Sequence, residues 1–518
     1  MKKSRLVIPV GFICLILQIV GFAPLRSLYA QTSQARIKID IERKVGEIDK
    51  MIYGNFVEHL GRCIYGGLYE PGSPLSDKNG FRKDVIQATK ELNVSIVRWP
   101  GGNFVSGYHW EDGVGPREKR PVRMDLAWGY RENNSFGTDE YIDWCREAKV
   151  EPYFCVNLGT GTMDEARNWV EYCNIENGTS YSDLRVKNGH KLPHKVIYWG
   201  LGNEMDGSWQ MGHKNAEDYG KFALETAKLM KGTDKNIKLV ASGSSNYGGD
   251  WINWNRTILD YLKDQVDYIS LHNYTGNRDD NYYEYMASTG FTEEAIKITE
   301  GIIHAALSKA HRKKPIYIAF DEYNVWYRAK GEEGNEEIYN LEDALVVATY
   351  LNIFVRNANI VKMANMAQLV NVIAPIFTTR QGSWYQTIFY PLSLFANNCN
   401  GEALQTFVES PVYQLKGKET PYLDVSSAYN KEKSEIILNV VNRDKDSAIV
   451  TEIMSQFGTF DGNAAIYEVN AKEIKDQNSA DRQLVKTKQS TLNVNGQKFT
   501  YQFPAHSFTM ITIPLKLN

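Results

Sequence analysis

Two glutamates in separate short motifs are the residues of this sequence best suited to perform chemistry. Glu204 stands in GNEMDG and Glu322 in DEYNVW, and each comes soon after a run of apolar residues. Two carboxyl groups that flank the bond to an anomeric carbon can break it, one as proton donor and the other as nucleophile or as base for water. The pattern predicts glycoside hydrolysis, provided that the fold brings the two side chains together.

The neighbours of the two glutamates predict a division of roles. Tyr274 could donate a hydrogen bond to Glu322 and keep it ionised, as a nucleophile must be. Asn203 could donate to the sugar 2-hydroxyl beside Glu204. Glu204 must be protonated at rest, so its pKa should be raised by burial or by the charge on Glu322. A separation of about 5–5.5 Å would retain the anomeric configuration, and about 6.5–9.5 Å would invert it.

The elements that must position these residues follow from an alternation of apolar runs and amphipathic stretches. This alternation predicts right-handed βαβ units, and eight of them fit a (β/α)8 barrel. An open, doubly wound sheet is the alternative, but no G-x-G-x-x-G follows the first strand, and the glycines at 101–103 and 159–161 belong to loops. The predicted strands are residues 51–57, 94–99, 152–158, 195–201, 238–242, 266–271, 315–320 and 361–369.

The pattern changes after about residue 393, where short alternating segments are separated by Asn, Gly, Asp and Lys turns. This is typical of an all-β sandwich, and we expect a jelly-roll-like one. The predicted domains are therefore a barrel over 51–392 and a sandwich over 393–518. Residues 31–50 should contribute an N-terminal strand to the sandwich, because residues 36–41 alternate in the same way.

Active sites of parallel barrels form at the carboxyl ends of the strands, and several bulky polar residues stand there. Strand ends must meet water in any case, but a convergence of carboxylates and amides on one rim favours a site. The fourth and seventh strands lead to Glu204 and Glu322, which would face each other across the barrel mouth. The other candidates at these ends are Glu58, Asn103, His272, Tyr274 and Gln368.

Longer motifs around these residues resemble glycoside hydrolase family 51, whose members are retaining α-L-arabinofuranosidases. The resemblance covers essentially the whole chain after residue 30. It implies a (β/α)8 barrel with a C-terminal β-sandwich. It rests on blocks such as GNFVEHLGRCIYGGLYE at 54–70, VRWPGGNFVSGYHWEDGVGP at 97–116, WGLGNEMDGSWQMGH at 199–213 and AFDEYNVWY at 319–327.

The resemblance also implies roles for individual residues. Glu204 is similar to the family's acid/base and Glu322 to its nucleophile. The substrate implied is a terminal arabinofuranose of arabinan, arabinoxylan side chains or oligosaccharides, with a homo-oligomer, a hexamer by resemblance, as the assembly. Glu58, Asn103 and Asn203 resemble the residues that bind furanose hydroxyls, His272 and Tyr274 those that support the catalytic pair, and Trp326 and Gln368 the walls of the sugar subsite.

Other functions remain open from the residues alone. A β-xylosidase or an endo-glucanase would use the same carboxyl pair on the same barrel. A metal-dependent hydrolase needs several converging His and Asp ligands, and the strand ends do not offer them; His190 and His194 enclose Pro193 and so are not a helical ligand pair. We therefore expect no metal and no cofactor. A sugar-binding protein without turnover would have a damaged carboxyl pair, and this pair is intact.

Composition and the N-terminus limit the partners and the location. The net charge of −3 argues against a nucleic-acid binder. Basic residues before an apolar run at 6–25 predict a secretory signal over residues 1–30, and an uncleaved anchor is the alternative. We expect cleavage, export to the periplasm or medium, and no membrane span afterwards. The five cysteines after residue 30 lack metal-ligand spacing and should be buried thiols.

Overall fold

The computed structural model describes residues 34–311, 314–329 and 335–517. Eight parallel strands close a barrel in which each barrel strand pairs with the next and the eighth pairs with the first. The predicted barrel is confirmed, and the open-sheet alternative is wrong. In chain order the barrel strands are Gly54–Phe56, Ile96–Trp99, Glu151–Val156, Tyr198–Leu201, Lys238–Ser244, Tyr268–Thr275, Tyr317–Val325 and Val361–Ala367.

Helices connect the strands and cover the barrel. Helix Lys83–Leu92 illustrates why these segments pack as helices against the barrel. Its buried residues recur at spacings of three and four and so form one apolar face. Helix Leu341–Arg356 is buried almost throughout, since it contacts both the barrel and the second domain. The helices are Lys83–Leu92, Thr138–Ala148, Met163–Asn174, Ser180–Lys187, Ala216–Thr233, Trp251–Leu262, Tyr282–Ala287, Gly290–Leu307, Leu341–Arg356 and Phe389–Asn398.

The first, sixth and seventh barrel strands differ from their predicted bounds in ways that matter for the site. The chain before the first strand forms a 3-10 helix, Lys50–Tyr53, whose N-cap side chain Asp49 accepts from the backbone of Met51. Strands Tyr268–Thr275 and Tyr317–Val325 run several residues further than the apolar pattern indicates. Their polar ends therefore stay in register with each other, and His272 pairs with Glu322.

The second domain is a sandwich of two sheets. Its apolar core draws on both sheets, for example through Ile453 of one and Ile511 of the other. One sheet holds Lys44–Glu47, Glu402–Leu404, Leu423–Asn430, Glu435–Asn442, Ser507–Lys516, Thr459–Asn470 and Lys486–Gly496, and the other holds Phe407–Glu409, Ala35–Ile39, Ile449–Ser455 and Lys498–Phe503.

The N-terminal segment contributes to both sheets of the sandwich. Strand Ala35–Ile39 runs parallel to Ile449–Ser455 and antiparallel to Phe407–Glu409. Strand Lys44–Glu47 pairs with Glu402–Leu404 in the other sheet. The exact domain boundaries at residues 50 and 392 stay a prediction.

Three further expectations concern the chain as a whole. The cysteines at 63, 145, 155, 173 and 399 are free and buried, as predicted. Within the described ranges no helix is long and apolar enough to cross a membrane. The predicted signal sequence, residues 1–30, lies outside the described residues.

Candidate active site

A cavity of about 390 Å³ opens at the carboxyl ends of the barrel strands. Seven of the nine predicted site residues line it, and two do not. Asn203 and His272 are buried behind the wall. The seven that line it are Glu58, Asn103, Glu204, Tyr274, Glu322, Trp326 and Gln368.

Glu204 follows the fourth strand on a strained piece of backbone. Its φ of 45° lies in the left-handed region, which residues with a β-carbon rarely adopt. The side chain reaches the ring of His272, with Oε1 2.9 Å from Nδ1. Its other oxygen, Oε2, accepts a hydrogen bond from the indole nitrogen of Trp209 at 2.5 Å. The backbone conformation therefore places this carboxyl group between a ring nitrogen and the cavity rim.

Glu322 lies inside the seventh strand, and both its oxygens accept hydrogen bonds. Arg98 donates from Nη1 to Oε1 at 2.7 Å, and Tyr274 donates its hydroxyl to Oε2 at 2.8 Å. The expected hydrogen bond from Tyr274 is thus present. Two donors, one of them a cation, stabilise the ionised form of a buried carboxyl group.

The two glutamates are close enough to act on one bond. One carboxylate oxygen of Glu204 and one of Glu322 lie within 4.8 Å of each other. Burial raises the pKa of Glu204, and the charge on Glu322 raises it further, although hydrogen bonds from His272 and Trp209 act in the opposite direction. The arrangement therefore pairs a carboxyl group that favours its protonated form with a carboxylate that accepts two donors.

His272 and Asp321 connect the two glutamates from behind. Nε2 of His272 lies 3.1 Å from Oδ1 of Asp321, and Oδ2 of Asp321 accepts from the hydroxyl of Tyr153 at 2.8 Å. Burial lowers the pKa of His272, but Glu322, Asp321 and Glu204 outweigh it and raise the value to about 10. Burial raises the pKa of Asp321, but the charges of Arg98 and His272 outweigh it and hold the value below its usual range.

Glu58 is held against a glycine turn on the opposite wall. Oε1 accepts from the backbone of Phe104 at 3.0 Å and from the indole of Trp128 at 2.9 Å. Gly101 has a φ of 143°, and a β-carbon there would lie 2.4 Å from Cγ of Glu58. Burial raises the pKa of Glu58 to about 8, with a smaller upward contribution from Glu322. The loop glycines therefore serve the packing of this carboxyl group.

Two amides take different positions. Gln368 lines the cavity and accepts from the backbone of Glu58 at 3.0 Å. Asn203 is turned away from the cavity, because its oxygen accepts from Arg98 and its nitrogen donates to Gln210 at 3.3 Å. The amide nitrogen carries a second N–H, so the expected contact of Asn203 with a sugar hydroxyl stays a prediction.

Sequence reasoning did not select four residues that belong to this arrangement. Arg98 and Asp321 are buried charges that pair at 3.5 Å beneath the cavity. Trp128 and Trp209 are wall residues whose indole groups reach Glu58 and Glu204. A charged residue inside the apolar strand IVRW is a signal that could have revealed Arg98, because a buried arginine needs a partner.

His190 and His194 come together with Asp139 on the outside of the barrel. The ligand atoms of the three lie within 4.8 Å of one another. His194 and Asp139 already share a hydrogen bond of 2.9 Å, and Arg146 lies 3.2 Å from the other ring nitrogen of His194. A guanidinium at that position opposes a metal ion, so these contacts favour a hydrogen-bonded cluster.

Comparison with known proteins gives matches along most of the chain. A family model described as the α-L-arabinofuranosidase 1 domain matches residues 88–290, and one described as the α-L-arabinofuranosidase C-terminal domain matches residues 321–507. An intracellular exo-α-(1→5)-L-arabinofuranosidase of Halalkalibacterium halodurans is 47% identical over 81% of this chain and 86% of its own length. The enzyme of the same description from Bacillus subtilis, numbered 1, is 46% identical over 81% of this chain and 87% of its own.

Solved structures show the same similarity in three dimensions. The arabinose complex of an α-L-arabinofuranosidase from Thermotoga maritima superposes with a TM-score of 0.85 at 39% identity, covering 93% of this chain and 100% of that one.

The predicted location of the protein is corrected by the names of the sequence relatives. Residues 1–30 alone carried the expectation of export, and the two relatives above are named intracellular. The predicted periplasmic or extracellular location is therefore wrong.

Proposed function

Because this chain belongs to glycoside hydrolase family 51, the α-L-arabinofuranosidases, we propose that Glu204 is its acid/base and Glu322 its nucleophile. The observation that carries these roles is the approach of the two carboxyl groups to within 4.8 Å in one cavity. That limit fits the short separation of about 5–5.5 Å that direct attack by a carboxylate requires better than the about 6.5–9.5 Å of an inverting pair. The reaction is a double displacement that retains the anomeric configuration.

In the first half-reaction an oxygen of Glu322 attacks the anomeric carbon. The bond from that carbon to the leaving oxygen breaks, and the proton of Glu204 passes to that oxygen. Glu322 is suited to attack because Arg98 and Tyr274 keep it ionised and oriented. Glu204 is suited to donate because burial raises its pKa.

In the second half-reaction Glu204 removes a proton from a water molecule. The water oxygen bonds to the anomeric carbon, and the ester bond to Glu322 breaks. Each carboxyl group returns to its initial state. Glu204 thus acts first as acid and then as base. Its pKa must therefore be higher while Glu322 is negatively charged and lower once Glu322 is a neutral ester.

The walls of the cavity suit one terminal arabinofuranose. Glu58, with Gln368 and Trp128 beside it, presents a buried carboxyl group that can bind sugar hydroxyls. Trp326 contacts the ring of Tyr274 and supplies an apolar face. A cavity of this size accepts a chain end better than the middle of a polymer, so we propose exo-action. The names of the relatives favour α-1,5-linked arabinan or its oligosaccharides as the source of that residue.

Hydrolysis of 4-nitrophenyl α-L-arabinofuranoside tests the proposed roles. Wild type should release arabinose whose first-formed anomer retains the α configuration, observed by NMR, and Glu322→Ala should lose almost all activity. Azide should rescue Glu322→Ala with formation of the inverted glycosyl azide, whereas it should rescue Glu204→Ala with retention. A retained azide product from Glu322→Ala and an inverted one from Glu204→Ala would exchange the two roles. Absence of turnover by folded wild type would refute the function.

The finer properties of the enzyme stay proposals. Product analysis on arabinan, arabinoxylan and xylan would show which polymer supplies the arabinose. The homo-oligomer, a hexamer by resemblance, can be checked by light scattering after size-exclusion chromatography.

A further inference from the structure

The ring of His272 lies between the two glutamates. Nδ1 is 2.9 Å from Oε1 of Glu204 and 3.5 Å from Oε2 of Glu322, while Nε2 is 3.1 Å from Oδ1 of Asp321. Within the described residues, the polar atoms that the structure places against the two ring nitrogens are carboxyl oxygens. A neutral imidazole donates from one nitrogen only, whereas an imidazolium donates from both. Two carboxylate-facing nitrogens therefore favour the charged ring.

Asp321 anchors this ring and is itself firmly ionised. It receives a hydrogen bond from Tyr153 and an ion pair from Nε of Arg98 at 3.5 Å, and all these groups are buried. The pKa of Asp321 lies below its usual range for this reason, and the pKa of His272 is raised to about 10. Asp321 is thus the carboxylate that holds His272 while the other two carboxyl groups react.

The charges around His272 balance in the resting site. In the proposed resting state Glu204 carries the proton that it donates and Glu58 is protonated, so the anions are Asp321 and Glu322 and the cations are Arg98 and His272. The hydroxyl of Tyr274 on Glu322 stays neutral, because burial and the nearby carboxylates raise its pKa. Two negative charges therefore face two positive ones, which is what a buried cluster requires.

The proposed reaction moves one negative charge past His272. When Glu322 forms the ester it becomes neutral, and when Glu204 gives its proton to the leaving oxygen it becomes an anion. The second half-reaction returns the charge to Glu322. The balance stays two against two in both states, but the negative charge passes from one side of Nδ1 to the other.

We propose that Asp321 is a positioning residue that keeps His272 as an imidazolium, whose Nδ1–H faces both glutamates and stabilises the ionised one in each half-reaction. This inference rests on the proposed function. No proton moves onto or off the ring, and the two oxygens differ by only 0.6 Å in their distances from Nδ1 (3.5 against 2.9). Nδ1 lies nearer Glu204, so the contact that stabilises Glu204 after it gives up its proton is already formed.

Nitrogen-15 NMR of labelled histidine measures the charge of the ring directly. The chain has nine histidines, and His272→Gln identifies the signals of His272. In wild type at pH 7 both ring nitrogens should be protonated. Asp321→Asn should lower the titration midpoint of His272 by more than one pH unit. An unprotonated Nδ1 in wild type at pH 7, with Glu204 as the donor, would overturn the proposal.

Substrates with different leaving groups separate a charge effect from a structural one. An alkyl α-L-arabinofuranoside needs the proton of Glu204, whereas the 4-nitrophenyl substrate needs it little. Asp321→Asn should therefore lower kcat/KM for the alkyl substrate at least tenfold more than for the nitrophenyl one. An equal loss on both would show a merely structural role and overturn the proposal.

A matched variant and the wild-type protein serve as controls. Tyr153→Phe removes a hydrogen bond to Asp321 but no charge, so the ratio of the two kcat/KM values should stay as in wild type. If Asp321→Asn does not fold, the wild-type NMR measurement still decides. If wild type does not hydrolyse the nitrophenyl substrate, the proposed function is refuted. The NMR measurement of the charge on His272 does not depend on turnover, so the two failures can be distinguished.

Discussion

Trp209 donates its indole N–H to Oε2 of Glu204 at 2.5 Å, although about half of the tryptophan side chain is exposed to solvent. A residue at the cavity rim thus contacts the proposed acid/base directly. The hydrogen bond favours the ionised carboxylate and lowers the pKa of Glu204, against the larger effect of burial. A leaving oxygen that is to receive a proton from Oε2 must therefore approach beside this indole.

Replacing Trp209 by phenylalanine should therefore raise the pKa of Glu204. Since Glu204 must be protonated to act as acid, the high-pH limb of kcat/KM should move to higher pH, by about half a unit for one partly solvated hydrogen bond. The measurement is a pH profile on an alkyl α-L-arabinofuranoside, whose leaving oxygen needs the proton of Glu204. Trp128→Phe is the matched control, because it removes an indole from Glu58 and leaves Glu204 unchanged. A limb that moves to lower pH would contradict the prediction.

Glu58→Gln tests a buried carboxyl group whose pKa is about 8. A folded-state value above the unfolded one means that the stability from the protonated form is present at low pH and lost as pH rises through 8. The Tm of wild type should therefore fall between about pH 5 and pH 8 by more than that of Glu58→Gln, which has no charge to bury. Glu409→Gln, at an exposed ion pair, should follow wild type. Parallel Tm curves for wild type and Glu58→Gln would show that Glu58 is ionised throughout.

Arg98→Lys tests the buried guanidinium beneath the cavity. Arg98 contacts Glu322, Asn203 and Asp321 with different nitrogens of one planar group, and a lysine ammonium cannot reach all three. We expect kcat/KM to fall about 100-fold or more, because one preorganised donor to a reacting oxygen contributes about that much. Arg36→Lys, in an exposed pair with Glu409, should change neither activity nor Tm. A fall of less than about threefold in the Arg98 variant would contradict this role.

Contacts that depend on the order of the strands could be predicted from the sequence. Glu204 and Glu322 could be assigned to the carboxyl-terminal parts of the fourth and seventh strands by periodicity alone, and closure of the barrel then brings them together. The contact between Arg98 and Asp321 could not be inferred in the same way, because the predicted seventh strand ended at residue 320, whereas the observed strand Tyr317–Val325 includes Asp321. Trp128 reaches Glu58 from the long segment between the second barrel strand and helix Thr138–Ala148, for which no periodic pattern exists.

Asn203 shows a different limit. Its position beside Glu204 predicted a contact with the sugar, which stays a prediction, but did not reveal its partners within the protein. Gly202 on its other side has a φ of 83° and Glu204 is left-handed, so the chain turns sharply. The side chain then meets Arg98 and Gln210 behind the cavity. Residue type and neighbourhood cannot predict such a turn, because it depends on local dihedral angles and on partners distant in sequence.

Asp424→Asn tests how the sandwich is attached to the barrel. Asp424, on strand Leu423–Asn430, accepts hydrogen bonds from Arg356 at 3.1 Å and Asn352 at 2.8 Å on helix Leu341–Arg356, and from Arg443 at 2.8 Å. Burial raises the pKa of Asp424, but the two arginines outweigh it and lower the value. Removing this charge leaves two guanidinium groups without their shared partner, which should cost about 3 kcal/mol and lower the Tm by several degrees.

The pH dependence of that loss distinguishes the lost charge from altered packing. A carboxyl group with a lowered folded-state pKa stabilises the protein above its unfolded pKa, and this stabilisation disappears as pH falls through the folded value. The difference in Tm between wild type and Asp424→Asn should therefore be largest near neutral pH and shrink in acid. Glu452→Gln, which removes a half-buried partner of the exposed Lys498, should change the Tm little. A difference that stays constant with pH would indicate that the Asp424→Asn substitution disturbs packing rather than charge, because packing does not titrate.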